Sequence, residues 1–485
     1  MNGTDKYSFV HPIANIYQMA MEHPDAPAII EDDRTYSYRD LWQDIRDTAS
    51  FMNQYQLNSG DVVAFLSENS YQLIVYLLAC WQKSIVTLIL NTRSPESQII
   101  QILEEVNPAC TFVSSSMNYK GLLSHEQVHL MALPGSTDKS ENRDVINIDH
   151  HSPATMILTS GSTGHPKIVV HSYHNHIASA IGILSYLNIE PGSSWMLALP
   201  LFHAGGLAIL FRMFISGGTV IIHPAANKLE ETLYKTQPHY ISLVGTQLWR
   251  LLQSDSGIQA LRMCRGILLG GSAIPESLIN RCIGLDIPIY PGYGSSEMAS
   301  TITVARKKDK NLTTSGKVIP YREITIDDES QILVRGETLF LGYFHKGTIK
   351  RPKLPGDGWF ATGDLGKIDE HGNLIVLGRK DHMFISGGEN IYPEQIENVI
   401  KTLDFIEEAI VIPMPDPEFG QRPCLFIQAG LTVDEQIKSR ILNYIRLHLP
   451  SYMVPADIRL IPESMQNQGI KISRHLLHQY LKSSL

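Results

Sequence analysis

Short apolar runs that alternate with longer helical patterns constrain the fold of this chain more than any other feature. Runs rich in Val, Ile and Leu occur at residues 61–66, 85–90, 218–222, 240–244 and 266–269. Continuous apolar runs of this length are typical of strands that are buried on both faces of a sheet. Amphipathic helical patterns, such as that of residues 71–82, lie between the runs. The alternation predicts an α/β chain with largely parallel sheets.

The pattern changes in the last third of the chain, where strands become short and turns frequent. The predicted elements there are strands at residues 331–336, 374–378 and 409–412 and helices at residues 393–403 and 434–447. The 485 residues exceed what one compact core usually holds, so at least two domains are expected. We place the boundary after Lys380. Residues 1–380 would form a large N-terminal domain of parallel α/β sheets with a small β subdomain, and residues 381–485 a smaller, mobile α+β domain.

Charge and cysteine content argue against two classes of protein. The chain has 49 acidic and 40 basic side chains, a formal net charge of −9, whereas nucleic-acid-binding proteins usually carry a basic excess or stripe. The densest basic run, residues 306–310, is short and interrupted, and we interpret it as a solvated loop. The five cysteines are scattered and have no paired metal-ligand spacing, which favours a reducing cytoplasm over a disulfide framework. Nucleic acid is therefore not an expected partner.

One segment approaches the length of a membrane-spanning helix. Residues 195–211 are almost entirely apolar, but Pro200, His203 and a Gly-Gly pair interrupt them. Proline, paired glycines and an ionisable side chain all disfavour a helix in lipid. A buried strand, a turn and a buried helix are predicted instead. Residues 1–6 have no apolar core, so neither a membrane span nor a secretory signal is expected.

The strongest chemical signal is a loop of glycine and hydroxyl residues that follows a predicted strand at residues 155–158. Its residues are Thr159, Ser160, Gly161, Ser162, Thr163, Gly164 and Lys167. Glycines let backbone N–H groups converge on phosphate oxygens, hydroxyls add donors, and lysine adds positive charge. The spacing matches neither a Walker loop nor a nucleophile elbow. A surface Gly/Ser turn is the alternative, but the hydroxyl density directly after a buried strand favours phosphate binding.

This loop resembles the phosphate-binding signature of the acyl-adenylate-forming superfamily, which includes acyl-CoA synthetases, adenylation domains and luciferases. Further segments resemble the superfamily's motifs in its order, at residues 270–273, 293–297, 362–364, 378–381, 386–393 and 469–474. The resemblance covers nearly the whole chain, and so many ordered matches are not expected by chance.

The resemblance implies a nucleotide-binding set. Its members are Thr159, Ser160, Gly161, Ser162, Thr163, Gly164, Lys167, Gly271, Ser272, Tyr293, Gly294, Ser296, Asp364 and Arg379. Ser296 would contact the α-phosphate, at a position where threonine is usual, so the hydroxyl donor is kept. Asp364 and Arg379 would bind the ribose, and a carboxylate has the acceptor lone pairs that a vicinal diol requires.

The resemblance also implies residues for the chemistry and for a domain rotation. Lys471 would be the adenylation lysine, although a surface lysine is the usual reading of a residue near the C-terminus. Glu297 would help to hold Mg²⁺, for which a carboxylate is a suitable hard ligand. Asp381 would be the hinge, and Gly387 and Gly388 would form the turn beside the coenzyme A tunnel.

Within the superfamily the chain most resembles one subgroup, the o-succinylbenzoate–CoA ligases of menaquinone synthesis. Ile470 separates the final glycine from Lys471, as in that subgroup, and residues 242–250 and 419–423 agree as well. The acyl-substrate set that follows is His203, Arg212, Thr246, Gly271 and Ser295. His203 would also belong to the catalytic set, as part of an aromatic gate in residues 199–206; a satisfied core histidine is the alternative.

Arg212 is the sharpest clue to the substrate. It directly follows an apolar run, residues 207–211, where a cation is rare unless it is paired. In the subgroup, a basic residue here faces a diacid substrate. The alternative is an arginine at a helix end that reaches the surface.

A cluster of His171, His174 and His176 at a predicted helix start suggests a metal site. No acidic or thiol partner lies nearby in the sequence. Three histidines at this spacing rarely complete a coordination shell alone, so we expect no metal there.

The resemblance implies a reaction in two stages. The substrate carboxylate attacks the α-phosphate of ATP, with Mg²⁺ and Lys471 offsetting the developing charge, and pyrophosphate leaves. The C-terminal domain then rotates about Asp381, and coenzyme A accepts the acyl group. Two alternatives stay open: another aryl- or acyl-CoA ligase or stand-alone adenylation enzyme of secondary metabolism, and a nucleotide-binding protein without catalysis. The sequence leaves the oligomeric state open, and a homo-oligomer is compatible with it.

Overall fold

The computed structural model of the chain describes residues 7–117, 128–134, 148–159, 166–223, 229–271, 274–307, 312–354, 358–430, 432–466 and 472–483. The large N-terminal part contains strands β1 (Pro27–Glu31), β2 (Arg34–Ser37), β3 (Val62–Leu66), β4 (Val86–Ile89), β5 (Cys110–Val113), β6 (Val128–Leu130), β7 (Pro153–Thr159), β8 (Lys167–Ser172), β9 (Ser194–Leu197), β10 (Thr219–Ile222), β11 (Tyr240–Leu243), β12 (Gly266–Leu269), β13 (Ile289–Ser295), β14 (Ser300–Val304) and β15 (Lys317–Val318). Its helices are α1 (Pro12–Glu22), α2 (Tyr38–Phe51), α3 (Tyr71–Gln82), α4 (Glu96–Val106), α5 (Tyr173–Tyr186), α6 (Ala204–Ser216), α7 (Leu229–Thr236), α8 (Gly245–Leu251), α9 (Asp255–Met263) and α10 (Glu276–Gly284).

The remaining strands are β16 (Arg322–Ile326), β17 (Gln331–Gly336), β18 (Gly342–His345), β19 (Thr348–Lys350), β20 (Phe360–Ile368), β21 (Leu374–Arg379), β22 (Phe384–Ser386), β23 (Glu389–Ile391), β24 (Ile406–Asp416), β25 (Gly420–Ala429) and β26 (Asp457–Leu460). The last helices are α11 (Pro393–Ile400), α12 (Glu435–His448), α13 (Glu463–Gln466) and α14 (Arg474–Ser483). Short 3₁₀ turns cover Met52–Tyr55, Ser296–Met298 and Ser451–Met453.

Two large sheets form the N-terminal part. The strand order of the first is β15-β14-β13-β12-β11-β9-β10-β1-β2, and that of the second is β19-β18-β8-β7-β4-β3-β5-β6. Their central strands run parallel, from β1 to β13 in the first sheet and from β7 to β6 in the second. The prediction of an α/β chain with largely parallel sheets is therefore confirmed.

Helices α5 and α6 pack against each other between the two large sheets. Helix α5 contacts β7 and β8 of the second sheet, and α6 contacts β9 and β10 of the first. Both helices are buried along nearly their whole length because almost all of their residues are apolar or small. The strand, turn and buried helix predicted for residues 195–211 are confirmed as β9, the turn before Ala204, and α6.

Smaller sheets follow. Strands β16, β17, β20 and β21 form a four-stranded antiparallel sheet, and β24, β25 and β26 form a three-stranded one. The predicted helix at residues 393–403 ends earlier, at Ile400, where the Thr402 hydroxyl donates to the Val399 carbonyl at 2.6 Å and the chain turns towards β24. The strand predicted at residues 409–412 is only the middle of the longer β24.

Two expectations from the sequence, on membrane spans and on disulfide bonds, can be compared with the structure. Within the described ranges, no helix has both the length and the apolar character that crossing a membrane requires. All five cysteines are free and buried. Burial raises the pKa of Cys110, Cys264, Cys282 and Cys424 to about 12.

Candidate functional site

Lys167 and Glu297 are distant in sequence, but both lie against the side chain of Tyr343. Strand β8 begins at Lys167, and β13 leads into the 3₁₀ turn that carries Glu297. The Tyr343 hydroxyl donates to Glu297 Oε1 at 2.8 Å, and Lys167 Nζ lies 5.1 Å from the centre of the Tyr343 ring. Burial and the Glu297 charge raise the Tyr343 pKa, so the phenol stays protonated and can donate. Tyr343 lies outside every motif, and sequence reasoning missed it.

The rest of the phosphate loop is only partly described. Thr159 ends β7, and its hydroxyl donates to the Lys167 carbonyl at 3.4 Å across the β7–β8 pair. The strand predicted before the loop, at residues 155–158, is confirmed as part of β7. Ser160, Gly161, Ser162, Thr163 and Gly164 lie outside the described residues, as does Ser272.

A second group joins the predicted ribose residues to the predicted hinge. Strands β20 and β21 pair Asp364 with Arg379, whose Nη1 donates to Asp364 Oδ1 at 3.1 Å. The Tyr293 hydroxyl donates to Asp364 Oδ2 at 2.6 Å. On its other side, Arg379 donates from Nε and Nη2 to the two carboxylate oxygens of Asp381, at 3.0 and 3.3 Å. The guanidinium of Arg379 therefore bridges Asp364 and Asp381.

The surroundings of Arg379 and Tyr293 fix the protonation states of these two side chains. Burial lowers the pKa of Arg379, but the hydrogen bonds and charges of Asp381 and Asp364 outweigh it and raise the pKa overall. Burial and Asp364 raise the pKa of Tyr293 well above its usual value. At neutral pH, Arg379 is a cation and Tyr293 is a neutral donor, so Asp364 is held in one orientation by two partners.

Gly271, a member of the predicted nucleotide-binding and acyl-substrate sets, packs against the residue that precedes α8, Val244. Gly271 has a φ of +87°, which favours glycine, and a Cβ there would lie 3.2 Å from Val244 Cγ1. A Cβ at Gly245 would lie 3.3 Å from Ile274 Cδ1. Thr246, in the first turn of α8, is exposed beside this contact. The predicted acyl residues Gly271 and Thr246 are thus near each other.

Two hydrogen bonds with Asn69 hold the turn that leads to His203. Asn69 clamps it, since Asn69 Nδ2 donates to the Leu199 carbonyl and the Leu201 N–H donates to Asn69 Oδ1, both at 2.9 Å. His203 itself is exposed at the N-terminus of α6, with its ring 4.6 Å from that of Phe202. The alternative of a core histidine is therefore wrong. No sequence signal pointed to Asn69.

Gly206→Ala is expected to destabilise the protein by about 1–3 kcal/mol, the usual cost of overpacking. A Cβ at Gly206 would lie 2.1 Å from the Pro200 carbonyl oxygen, so α6 or the clamped turn must move. Gly205→Ala is the matched control, because its Cβ would meet only the flexible end of Leu199, at 3.2 Å. Urea unfolding measures both variants. If the free energy of unfolding of Gly206→Ala equals that of Gly205→Ala, the turn moves without an energetic penalty.

Arg212 lies inside the protein. Its side chain is 1% exposed, so the alternative of a surface arginine is wrong. Its Cζ lies 4.9 Å from the centre of the Trp195 ring, and Nη2 makes one long contact, 3.5 Å, with Thr301 Oγ1. Among the described residues, Nε and Nη1 have no hydrogen-bond partner. Burial lowers the Arg212 pKa to about 9, which still leaves the side chain charged at neutral pH.

The surroundings of Arg212 include predicted site residues. Thr301 pairs with Gly294 and Ser300 with Ser295 in the β13–β14 hairpin. Ser295 Oγ is also buried without a hydrogen-bond partner in the part of the chain that the structure describes. The Arg212 guanidinium therefore lies beside the strand pair that leads to Ser296 and Glu297.

Only two of the three clustered histidines lie together: the ring centres of His171 and His176 are 4.9 Å apart, whereas His174 contacts Glu337. His171 lies in β8 rather than at a helix start, since α5 begins only at Tyr173. His176 Nε2 lies 2.7 Å from Thr155 Oγ1, whereas His174 Nε2 lies 2.9 Å from Glu337 Oε2. Burial lowers the pKa of His171 to about 4. In the described ranges, no group of three His, Cys, Asp or Glu side chains is arranged to hold a metal ion.

The predicted coenzyme A turn connects β22 and β23. Gly387 and Gly388 have φ values of +57° and +90°, which a tight hairpin turn requires. The Gly387 N–H donates to the Phe419 carbonyl at 3.0 Å, and a Cβ there would lie 2.7 Å from Phe419 Cδ1. Lys471 lies outside the described residues. Arg474, three positions further on, is held by Glu397 through contacts of 2.5 and 2.7 Å.

The chain belongs to the family of AMP-binding enzymes. The model of that family matches residues 16–344, and a model of the AMP-binding enzyme C-terminal domain matches residues 395–469.

Individual relatives of the chain carry names that are more specific than the family description. The chain is 32% identical over 456 residues to the 2-succinylbenzoate–CoA ligase of Salmonella typhimurium, covering 94% of this chain and 95% of that protein. Its structure is similar to that of the o-succinylbenzoate coenzyme A synthetase of Bacillus subtilis in complex with the acyl-adenylate intermediate OSB-AMP, with 27% identity, a TM-score of 0.85 and coverage of 96% and 97% of the two chains. A structure of the Bacillus subtilis protein with ATP and magnesium ion matches with 27% identity, a TM-score of 0.80 and coverage of 92% and 95%.

Proposed function

We propose that this chain is an ATP-dependent acid–thiol ligase that converts 2-succinylbenzoate first to its acyl-adenylate and then to 2-succinylbenzoyl-CoA. The family defines the adenylate chemistry, and relatives that match nearly the whole chain carry this acid in their names. The substrate belongs to menaquinone synthesis, and the free, buried cysteines support a cytoplasmic location.

One observation carries the choice of acid. Arg212 is a buried cation, and two of its nitrogens lack a partner among the described residues. An unpaired buried charge is costly, so a carboxylate is the complement that this position lacks. 2-Succinylbenzoate carries two carboxylates. The succinyl carboxylate would react, and the ring carboxylate would lie towards Arg212, directly or through a water.

The nucleotide would be held by the two groups described above. Lys167 and the Gly/Ser loop would bind the phosphates, with Ser296 at the α-phosphate, while Asp364 would accept hydrogen bonds from the ribose hydroxyls. Glu297, a partly buried carboxylate close to Lys167, would hold Mg²⁺, a cation that takes one or two carboxylates together with phosphates. When bound, the ion offsets charge on the phosphate oxygens. Catalysis is then mostly positioning, because the carboxylate of the acid is already a nucleophile.

The remaining residues of the site would act in turn. Lys471 would offset charge while pyrophosphate leaves. We propose that the domain boundary lies after Lys380, so that residues from Asp381 onwards rotate as one body. The rotation would withdraw Lys471 and bring the Gly387-Gly388 turn to the thiol of coenzyme A. Exposed His203 would lie at the mouth of the acyl pocket.

A panel of acids with ATP, Mg²⁺ and coenzyme A tests this function, with thioester formation as the readout. We expect the highest kcat/KM for 2-succinylbenzoate. A higher value for another aryl acid would assign the chain to a different CoA ligase. Absence of ATP–pyrophosphate exchange with every acid would contradict catalysis altogether.

Arg212→Ala or Arg212→Gln is expected to raise the KM for 2-succinylbenzoate about tenfold or more, since a lost charge-assisted contact costs roughly 1.5–3 kcal/mol. The KM for ATP should change little, because the nucleotide residues lie elsewhere. A monoacid that lacks the ring carboxylate should barely distinguish the variants from the wild type. Arg446→Ala, on the exposed face of α12, is the control. Equal losses with diacid and monoacid would make Arg212 structural.

A further inference from the structure

A second buried arginine, Arg322, lies near Arg212, since both contact Thr301. It begins β16 and is 5% exposed. Its guanidinium is held by three backbone carbonyls: Nε donates to Pro320 at 3.1 Å, Nη2 to Ser179 at 3.5 Å, and Nη1 to Thr301. These carbonyl oxygens accept a hydrogen bond from each of the three nitrogens but do not neutralise the charge. No motif pointed to Arg322.

Arg322 and Arg212 meet at the same residue. Arg322 binds the backbone carbonyl of Thr301, and Arg212 contacts the hydroxyl of Thr301. None of the ion pairs formed within the described ranges includes either arginine. Burial lowers the Arg322 pKa to about 9, with a further contribution from the Arg212 charge, so both side chains are cations at neutral pH. Two buried positive charges thus lie near Thr301, and neither has a carboxylate partner among the residues that the structure describes.

We propose that Arg322 is a specificity-determining residue for the acid substrate: its charge adds to that of Arg212, so that the pocket favours an acid with a second carboxylate over a monoacid of the same shape. The proposal rests on the proposed function and deepens it. Two like charges in a water-poor interior are unfavourable, and an anion beside them relieves both. Each nitrogen of the guanidinium already donates to a carbonyl, so Arg322 acts through its electrostatic field and through the position of Thr301, without touching the substrate.

Substitutions that separate charge from packing test the proposal. The readout is the ratio of kcat/KM for 2-succinylbenzoate to kcat/KM for 4-oxo-4-phenylbutanoate, the monoacid that lacks the ring carboxylate. Arg322→Gln should lower this ratio about fivefold or more, because a buried charge acts over several ångströms. Arg322→Lys keeps the charge and should restore most of the ratio. An unchanged ratio in Arg322→Gln, or a Lys variant as impaired as the Gln variant, would overturn the proposal.

A second variant tests the proposal if Arg322→Gln fails to fold. Gly182 lies in α5, and a Cβ there would sit 2.7 Å from Arg322 Nη2 and 2.9 Å from the Pro320 carbonyl. Gly182→Ala should therefore displace the guanidinium without removing its charge, and lower the ratio about twofold or more. Gly284→Ala, in α10 with nothing within 4 Å of its Cβ, is the matched control. A ratio at the control value in Gly182→Ala would contradict the proposal.

Different results would contradict the proposed function and the role of Arg322. A wild-type enzyme that converts neither acid with ATP and coenzyme A contradicts the proposed function. A wild-type enzyme that prefers the diacid, while the Arg322 variants keep that preference, contradicts only the role of Arg322.

Discussion

Lys471→Ala is expected to abolish acyl-adenylate formation while preformed acyl-adenylate still yields the thioester at close to the wild-type rate. The lysine charge is needed only while pyrophosphate leaves, so its loss should affect one half-reaction. The two losses should differ by orders of magnitude, with each factor of ten corresponding to about 1.4 kcal/mol. Pyrophosphate release and thioester formation from synthetic adenylate measure the halves separately.

Lys482→Ala is the control for this experiment, because Lys482 is exposed in the last turn of α14 and shares the C-terminal location. It should leave both half-reactions unchanged. Equal loss of both half-reactions in Lys471→Ala would contradict the assignment of Lys471 as the adenylation lysine.

Asp381→Pro is expected to have the opposite effect. Proline fixes φ at the proposed pivot, so adenylation should survive while transfer to coenzyme A falls about tenfold or more. The substitution also removes the carboxylate that pairs with Arg379. Asp381→Ala is therefore the matched control: it removes the carboxylate but leaves φ free, and transfer should remain well above that of the proline variant. A wild-type rate of thioester formation in Asp381→Pro would exclude a pivot at this residue.

The fold could be predicted from the sequence because its strands are buried on both faces. Such strands read as apolar runs, and β3, β10, β11 and β12 were recognised in this way. The ends of helices and strands were predicted less accurately than their existence. The predicted helix at residues 393–403 was too long because its amphipathic pattern continues beyond Ile400, whereas hydrogen bonding at Thr402 ends it.

The candidate site could be predicted only where a motif carries it. Asp364 and Arg379 lie in motifs, and the structure joins them. Tyr343 and Asn69 act on site residues from distant strands and loops, and such pairings follow from tertiary packing rather than from local sequence. For Arg212, the sequence left burial and surface exposure equally open. Only the packing of α5 and α6 between the sheets decides it.

The burial of every cysteine has a practical consequence for assays of this enzyme. A thiol reacts as its thiolate, and burial raises the pKa of all five thiols above its usual value while it also shields them. A chromogenic disulfide reagent added to the native protein should therefore leave the cysteine thiols of the protein unmodified. When the reagent is added to timed aliquots of the reaction, its colour reports the free coenzyme A that remains, against a flat background from the protein. A slow rise in colour with enzyme alone would report unfolding of the enzyme.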